Sequence, residues 1–162
     1  MPSYQKILVG VDGSHSSEAA FYRAIEVAKE YHAKLYIVHI TEDRLPAAPM
    51  DAGAIAIEMD RDQMTAGTLL DDYEKLARNH GLKHITTLSN SGSPKMEILS
   101  FASMHEADLI VCGATGLNAM ERIFIGSVSQ YITRHANCDV LIARNSTKIE
   151  TSGLSIKSTS QR

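Results

Sequence analysis

The sequence predicts an α/β protein: one doubly wound, open sheet of five parallel strands with four helices between them. Three features point there. Short apolar runs, of the kind buried on both faces of a parallel sheet, alternate with segments of helical periodicity along the chain. Acid, glycine and serine residues bound those runs and mark strand exits and helix starts. Finally, 162 residues suit one domain whose core needs no disulfide or metal to hold it.

Lys6 to Asp12, KILVGVD, is the first such run, ending in an acid that Gly13 follows. Ser14, Ser16 or Ser17 can cap the next helix, whose apolar stripe is Ala20, Ala24, Val27, Ala28 and Tyr31. Leu35 to Ile40, LYIVHI, is the second strand. Pro46, Pro49 and Gly53 among small residues predict an excursion loop from Thr41 to about Ala56. Ala66, Leu69, Leu70, Tyr73, Leu76 and Ala77 set the second helix, with Gly67 a weak point inside it and Gly81 just past its end. His84 to Ser89 alternates apolar and polar residues, as a sheet-edge strand does. Ser93 and Pro94 open a third helix that carries Ile98, Leu99 and Ala102 and ends near Glu106. Asp108 to Gly113 is the fourth strand, Gly126 and Ser127 begin a fourth helix with Val128, Tyr131 and Ile132, and Asp139 to Arg144 closes the sheet. The domain thus spans 1–145; from 146 to 162 the composition turns to Ser, Thr and Lys, which predicts a disordered tail.

Composition excludes several classes. Sixteen Lys and Arg stand against nineteen Asp and Glu, a net charge of -3, so nothing draws in nucleic acid or anionic lipid. The apolar runs are far shorter than the ~20 residues of a membrane helix, and no secretory leader pattern follows Lys6, so the expected location is the cytoplasm. Cys112 and Cys138 form no paired motif, and the seven histidines show no ligand spacing, so no metal is expected.

Ligands of open parallel sheets bind beyond the carboxyl ends of the strands, where the winding reverses. The exits here are Asp12-Gly13-Ser14, Ile40-Thr41 and Gly113-Ala114-Thr115-Gly116. Gly113 and Gly116 suit close approach of backbone to a phosphate, and Gly126-Ser127 opens a helix whose N-H groups favour an anion. Gly113-x-x-Gly116, nine residues, then Gly126-Ser127, with KILVGVDGS before and GLNAMERIFIGSVSQYITRHANCDVLIAR around them, resembles the universal stress protein family from about Tyr4 to Arg144. The resemblance implies an adenine nucleotide alpha hydrolase-like sheet of order 3-2-1-4-5, with a crevice between strands 1 and 4. It implies binding of ATP, with Mg2+ as a companion ion, or of ADP or AMP. Asp12 and Gly13 would lie by the nucleoside and the main chain at Ile40 by the adenine edge. Gly113, Thr115, Gly116, Gly126, Ser127 and Val128 would surround ribose and phosphates. It also implies a homodimer through the fifth strand. Where many members carry a basic or histidine side chain inside the glycine loop, this chain has Ala114 and Thr115; Arg122 is the nearest cation in sequence.

Three functions compete. The first is a regulator that binds a nucleotide and signals through conformation or partner binding, with no catalytic residue assigned and at most weak ATPase activity. The second is a phosphoryl- or adenylyl-transfer enzyme, but VDGSHSS supplies one glycine where a pyrophosphatase loop has two, and no Walker lysine or receiver-type acid is present. The third is a nucleotide-free dimeric interaction module, which the complete glycine set disfavours.

Overall fold

The computed structural model describes residues 3–43, 46, 48–115 and 125–144. Nine elements alternate: β1 (Lys6–Gly10), α1 (His15–Tyr31), β2 (Lys34–Glu42), α2 (Ala52–Asn79), β3 (Ile85–Gly92), α3 (Pro94–Met104), β4 (Leu109–Gly113), α4 (Ser127–His135) and β5 (Asp139–Ala143). The five strands form one parallel sheet in the order β3-β2-β1-β4-β5. The chain winds outward from β1 to β3, then returns through α3 to place β4 on the other side of β1, so the reversal falls between β1 and β4.

Alternation along the buried strands divides the core in two. Ile7, Val9, Val11, Leu35 and Ile37 meet Phe21, Ala24 and Ile25 of α1 and Leu70 and Tyr73 of α2 on one face. Leu8, Tyr36, Val38 and Ile110 meet Ile98 and Ala102 of α3 and Ile132 of α4 on the other. In α1 the buried stripe includes Phe21 and Ile25, which a count of alanines passes over, whereas Tyr31 at its end is exposed. Phe21 packs edge-on against Tyr73, with ring centroids 4.6 Å apart, and so joins α1 to α2.

The helix starts are individually engineered. Ser14 caps α1 by accepting the Ser17 N-H at 3.1 Å. Ser93 holds the cap position of α3, but its side chain makes no capping bond; Pro94 follows at the first turn, where no N-H is needed. Gly81 adopts φ +93 just after the α2 cap residue His80, as its position past the helix end predicts.

One element departs from expectation. The excursion after the second strand is shorter than Thr41 to Ala56, because β2 continues to Glu42 and α2 begins at Ala52. Asp51 caps this start, accepting the Ala54 N-H at 2.7 Å, and the alanine-rich segment after it has high intrinsic helix propensity. Its first fourteen residues bury almost nothing: Ile55, Ile57, Met59 and Met64 are all exposed, and the first buried residue is Ala66. With no buried face there, the sequence carries no amphipathic period to reveal the helix. Gly67 does not break it, and no neighbour lies within 4 Å of where its Cβ would be.

This division of α2 has a measurable consequence. Asp51→Ala removes a cap worth about 0.5–2 kcal/mol locally. Hydrogen exchange should quicken across 52–60, while the urea midpoint of global unfolding stays within error of the parent, because those turns contribute little buried surface.

Candidate functional site

The site forms because neighbouring strands end at different heights. Pairing of β1 with β2 stops at Gly10↔Val38, whereas β2 stays paired with β3 as far as Glu42↔Gly92. Lys34 N-H donates to Gln5 O and Val11 N-H donates to Val38 O, so the even-numbered residues of β2 turn their backbone groups toward β1. Leu35 N-H donates to His84 O, so the odd ones turn toward β3. Ile40 therefore directs its N-H and C=O to the side that β1 has vacated, while its side chain is buried beside Leu8, Val38 and Ile98.

The β1 exit is a tight turn. Asp12 Oδ1 accepts the Ser14 N-H at 2.9 Å, and the Asp12 N-H donates to Ser17 Oγ at 3.2 Å. Asp12 is half-buried, so it shapes the turn with one carboxylate oxygen while the other meets no hydrogen-bond donor among the described residues. Gly13 sits at φ +79, a left-handed conformation that other residues adopt at a cost.

At the β4 exit the structure supplies a packing reason for a glycine. A Cβ on Gly113 would lie 2.6 Å from the backbone C and O of Ser16 and 2.8 Å from its Oγ. The first turn of α1 presses on Gly113, and this packing by itself requires a residue without a side chain there. The two following N-H groups are also engaged within the protein. Ala114 N-H donates to Ala143 O at 3.0 Å and Thr115 N-H to Ser16 Oγ at 3.2 Å. Gly126 N-H returns to Ala114 O at 2.6 Å, and Ser129 Oγ donates to Gly113 O. These bonds fix the start of α4 against the end of β4.

Donors for an anion are left at α4. Gly126 occupies its cap position and offers no side-chain bond, so among the described residues the Ser127 and Val128 N-H groups at the helix start meet no capping acceptor. The N-terminus of α1, by contrast, is closed by Ser14. Asp12, Gly13, Ile40, Gly113, Thr115, Gly126, Ser127 and Val128 thus all sit at the carboxyl end of the sheet on the elements around the β1/β4 reversal. Gly116 and Arg122 lie outside the described residues, as does the segment 145–162.

His39 lies within β2, between residues of the buried core. Its Nδ1 lies 2.8 Å from Val11 O, and since a carbonyl only accepts, Nδ1 carries the proton. Asp71 and Asp72 are exposed and Glu74 pairs with Arg78 along α2, a solvated face. Cys112 is buried, and burial pushes its thiol pKa up to about 11; burial raises that of Cys138 as well, so neither thiol is activated. Cys138 lines a separate groove of about 260 Å³ between α3 and α4, at the amino end of the sheet and away from the reversal. Among the described residues no group of three His, Cys, Asp or Glu is placed to hold a metal ion, and no helix is long and apolar enough to cross a membrane.

A five-stranded parallel sheet with its reversal between β1 and β4, and a helix start without a side-chain cap at the sheet's carboxyl end, defines a doubly wound α/β protein. The model of the universal stress protein family matches residues 3–144, and the chain belongs to that family. A Staphylococcus aureus (strain USA300) protein named as a universal stress protein is 44% identical over 146 residues, covering 89% of this chain and 86% of that protein. The solved structure of universal stress protein UspA from Lactobacillus plantarum superposes with a TM-score of 0.81 at 30% identity, over 89% of this chain and all of that one. A universal stress protein solved in complex with cAMP gives a TM-score of 0.63 at 29% identity, over 88% of this chain and 98% of that one.

The packing at Gly113 predicts its own mutational effect. Gly113→Ala forces α1 and β4 apart and should cost about 1–3 kcal/mol, read as a lowered urea midpoint. An unchanged midpoint would mean that the Ser16 turn yields freely.

Proposed function

We propose that this chain is a cytoplasmic regulator that binds an adenine nucleotide in the crevice between β1 and β4. The bound state signals through conformation or through the choice of a protein partner, and no turnover is assigned to the site. The observation that carries this reading is the pairing of two unlike surfaces across one reversal: the open main-chain edge at Ile40 and the uncapped start of α4. The first suits the hydrogen-bonding edge of a base, as a neighbouring strand would. The second suits a phosphate. The relative solved with cAMP supports an adenine nucleotide as the ligand class. ATP with Mg2+, ADP, AMP and cyclic AMP are the members to compare.

In this reading Asp12 and Gly13 flank the nucleoside, Gly113 and Thr115 support the ribose end, and Gly116, Gly126, Ser127 and Val128 surround the phosphates. Calorimetric titration with adenosine, AMP, ATP and cAMP tests the assignment. Gly116→Asp brings a carboxylate to the anion and should abolish ATP binding while adenosine binding persists. Asp12→Ala should weaken adenosine and ATP by similar factors. Ser127→Ala should cost no more than about 0.5–1.5 kcal/mol, because the helix start itself remains. ATP binding by Gly116→Asp as tight as the parent's, in a folded protein, rejects the phosphate site.

We further propose a homodimer through β5. This strand pairs with β4 on one side only among the described residues, and Val140, Leu141 and Ile142 on it are half-buried in the single chain. An edge strand of this kind is completed by a copy related by a two-fold axis. Sedimentation at micromolar concentration should give a dimer, and Leu141→Pro should shift it to monomer.

A further inference from the structure

We infer that His39 is a positioning residue that holds the main-chain edge of Ile40 open toward the crevice. The inference rests on the proposed base-binding edge for its functional meaning, but its structural content stands on the ladder itself. In a parallel pair, each strand's carbonyls and N-H groups alternate in regular sequence. After Val11 N-H donates to Val38 O, the next bond of the β1–β2 ladder would run from the Ile40 N-H to Val11 O. That bond is not made. No backbone N-H among the described residues donates to Val11 O, and the His39 imidazole meets it instead, at 2.8 Å.

A side chain has therefore taken the acceptor that would have continued the sheet. The substitution has two effects. Val11 O is satisfied, so the β1 exit turns away into Asp12 and Gly13 without leaving the carbonyl of a buried residue unpaired. The Ile40 N-H is released, so a ligand edge can take the place of the missing strand. An aliphatic residue at 39 would leave Val11 O seeking a donor, and the nearest ladder donor is Ile40. The sheet would then close by one more bond over the groups the ligand needs.

The test compares His39→Leu with His39→Asn, whose side-chain amide N-H can stand where Nδ1–H stood. In the ligand-free protein, exchange of the Ile40 amide should slow about ten-fold in His39→Leu and match the parent in His39→Asn. Adenosine affinity should fall about three- to ten-fold in His39→Leu, the size of one lost hydrogen bond, and recover in His39→Asn, with melting temperature moving little in either. Unchanged Ile40 exchange in His39→Leu overturns the inference, as does equal loss of adenosine in both variants. If the parent protein itself fails to bind adenosine, the reading of the crevice falls, while the exchange comparison still decides whether His39 diverts the ladder.

Discussion

The close approach of Gly113 to the first turn of α1 is the constraint on which the carboxyl end of the sheet depends. No side chain intervenes between them, so Ser16 Oγ reaches the Thr115 N-H and pins the chain as it leaves β4. The Gly126–Ala114 and Ser129–Gly113 bonds then set α4 on that fixed point. The start of one helix thus determines where another helix begins, although 99 residues separate Ser16 from Thr115. A shift of α1 would move the α4 N-H groups with it. Such coupling is a physical route by which occupancy of the crevice could be felt on the opposite face of the sheet, since α1 and α4 lie in different halves of the core.

The fold was legible because its strands are buried on both faces. KILVGVD, LYIVHI and DLIVCG are unbroken apolar runs, and a parallel sheet covered by helices is the structure that buries such runs. Alternation of strand and helix placed every element, and the family resemblance supplied the strand order. What escaped was the part of α2 without a buried face. Ile55, Ile57, Met59 and Met64 fall on opposite sides of that helix, so no stripe appears, and Pro46 with Pro49 drew the reading toward a loop. Propensity and the Asp51 cap decide the structure there, and both are local signals that a search for burial does not register.

The place of the candidate residues at the carboxyl end of the sheet was legible in the sequence, but their packing was not. Glycines at strand exits indicated where backbone comes close to something; they could not indicate whether that something was a ligand or another helix. For Gly113 it is α1. The part proposed for Ile40 came from the resemblance, and the feature that supports it is a mismatch in strand length that no single stretch of sequence displays. β1 ends at Gly10 and β2 at Glu42, and only the register between them shows that the Ile40 backbone faces the side where β1 pairing has stopped. His39 has Val11 O as its partner, and its position in the ladder was invisible without that register.

The two ends of the crevice are built from different physics, which bears on how the proposed ligand would be discriminated. The edge at Ile40 offers short-range, directional hydrogen bonds that a base either matches or fails, and their strength is insensitive to salt. The start of α4 offers a partial positive charge and N-H groups that accept an anion of variable shape. Neither Ala114 nor Thr115 adds a charge to it, and their N-H groups are already bonded within the protein. Among the described residues the contribution left for additional phosphates is the field of one helix, worth typically about 0.3–1 kcal/mol per anion when exposed and weakened as salt rises. On this account adenine recognition is steep while discrimination among linear and cyclic phosphates is shallow. A site of that kind reports the presence of adenine nucleotides as a class more sharply than it reports the length of their phosphate chain.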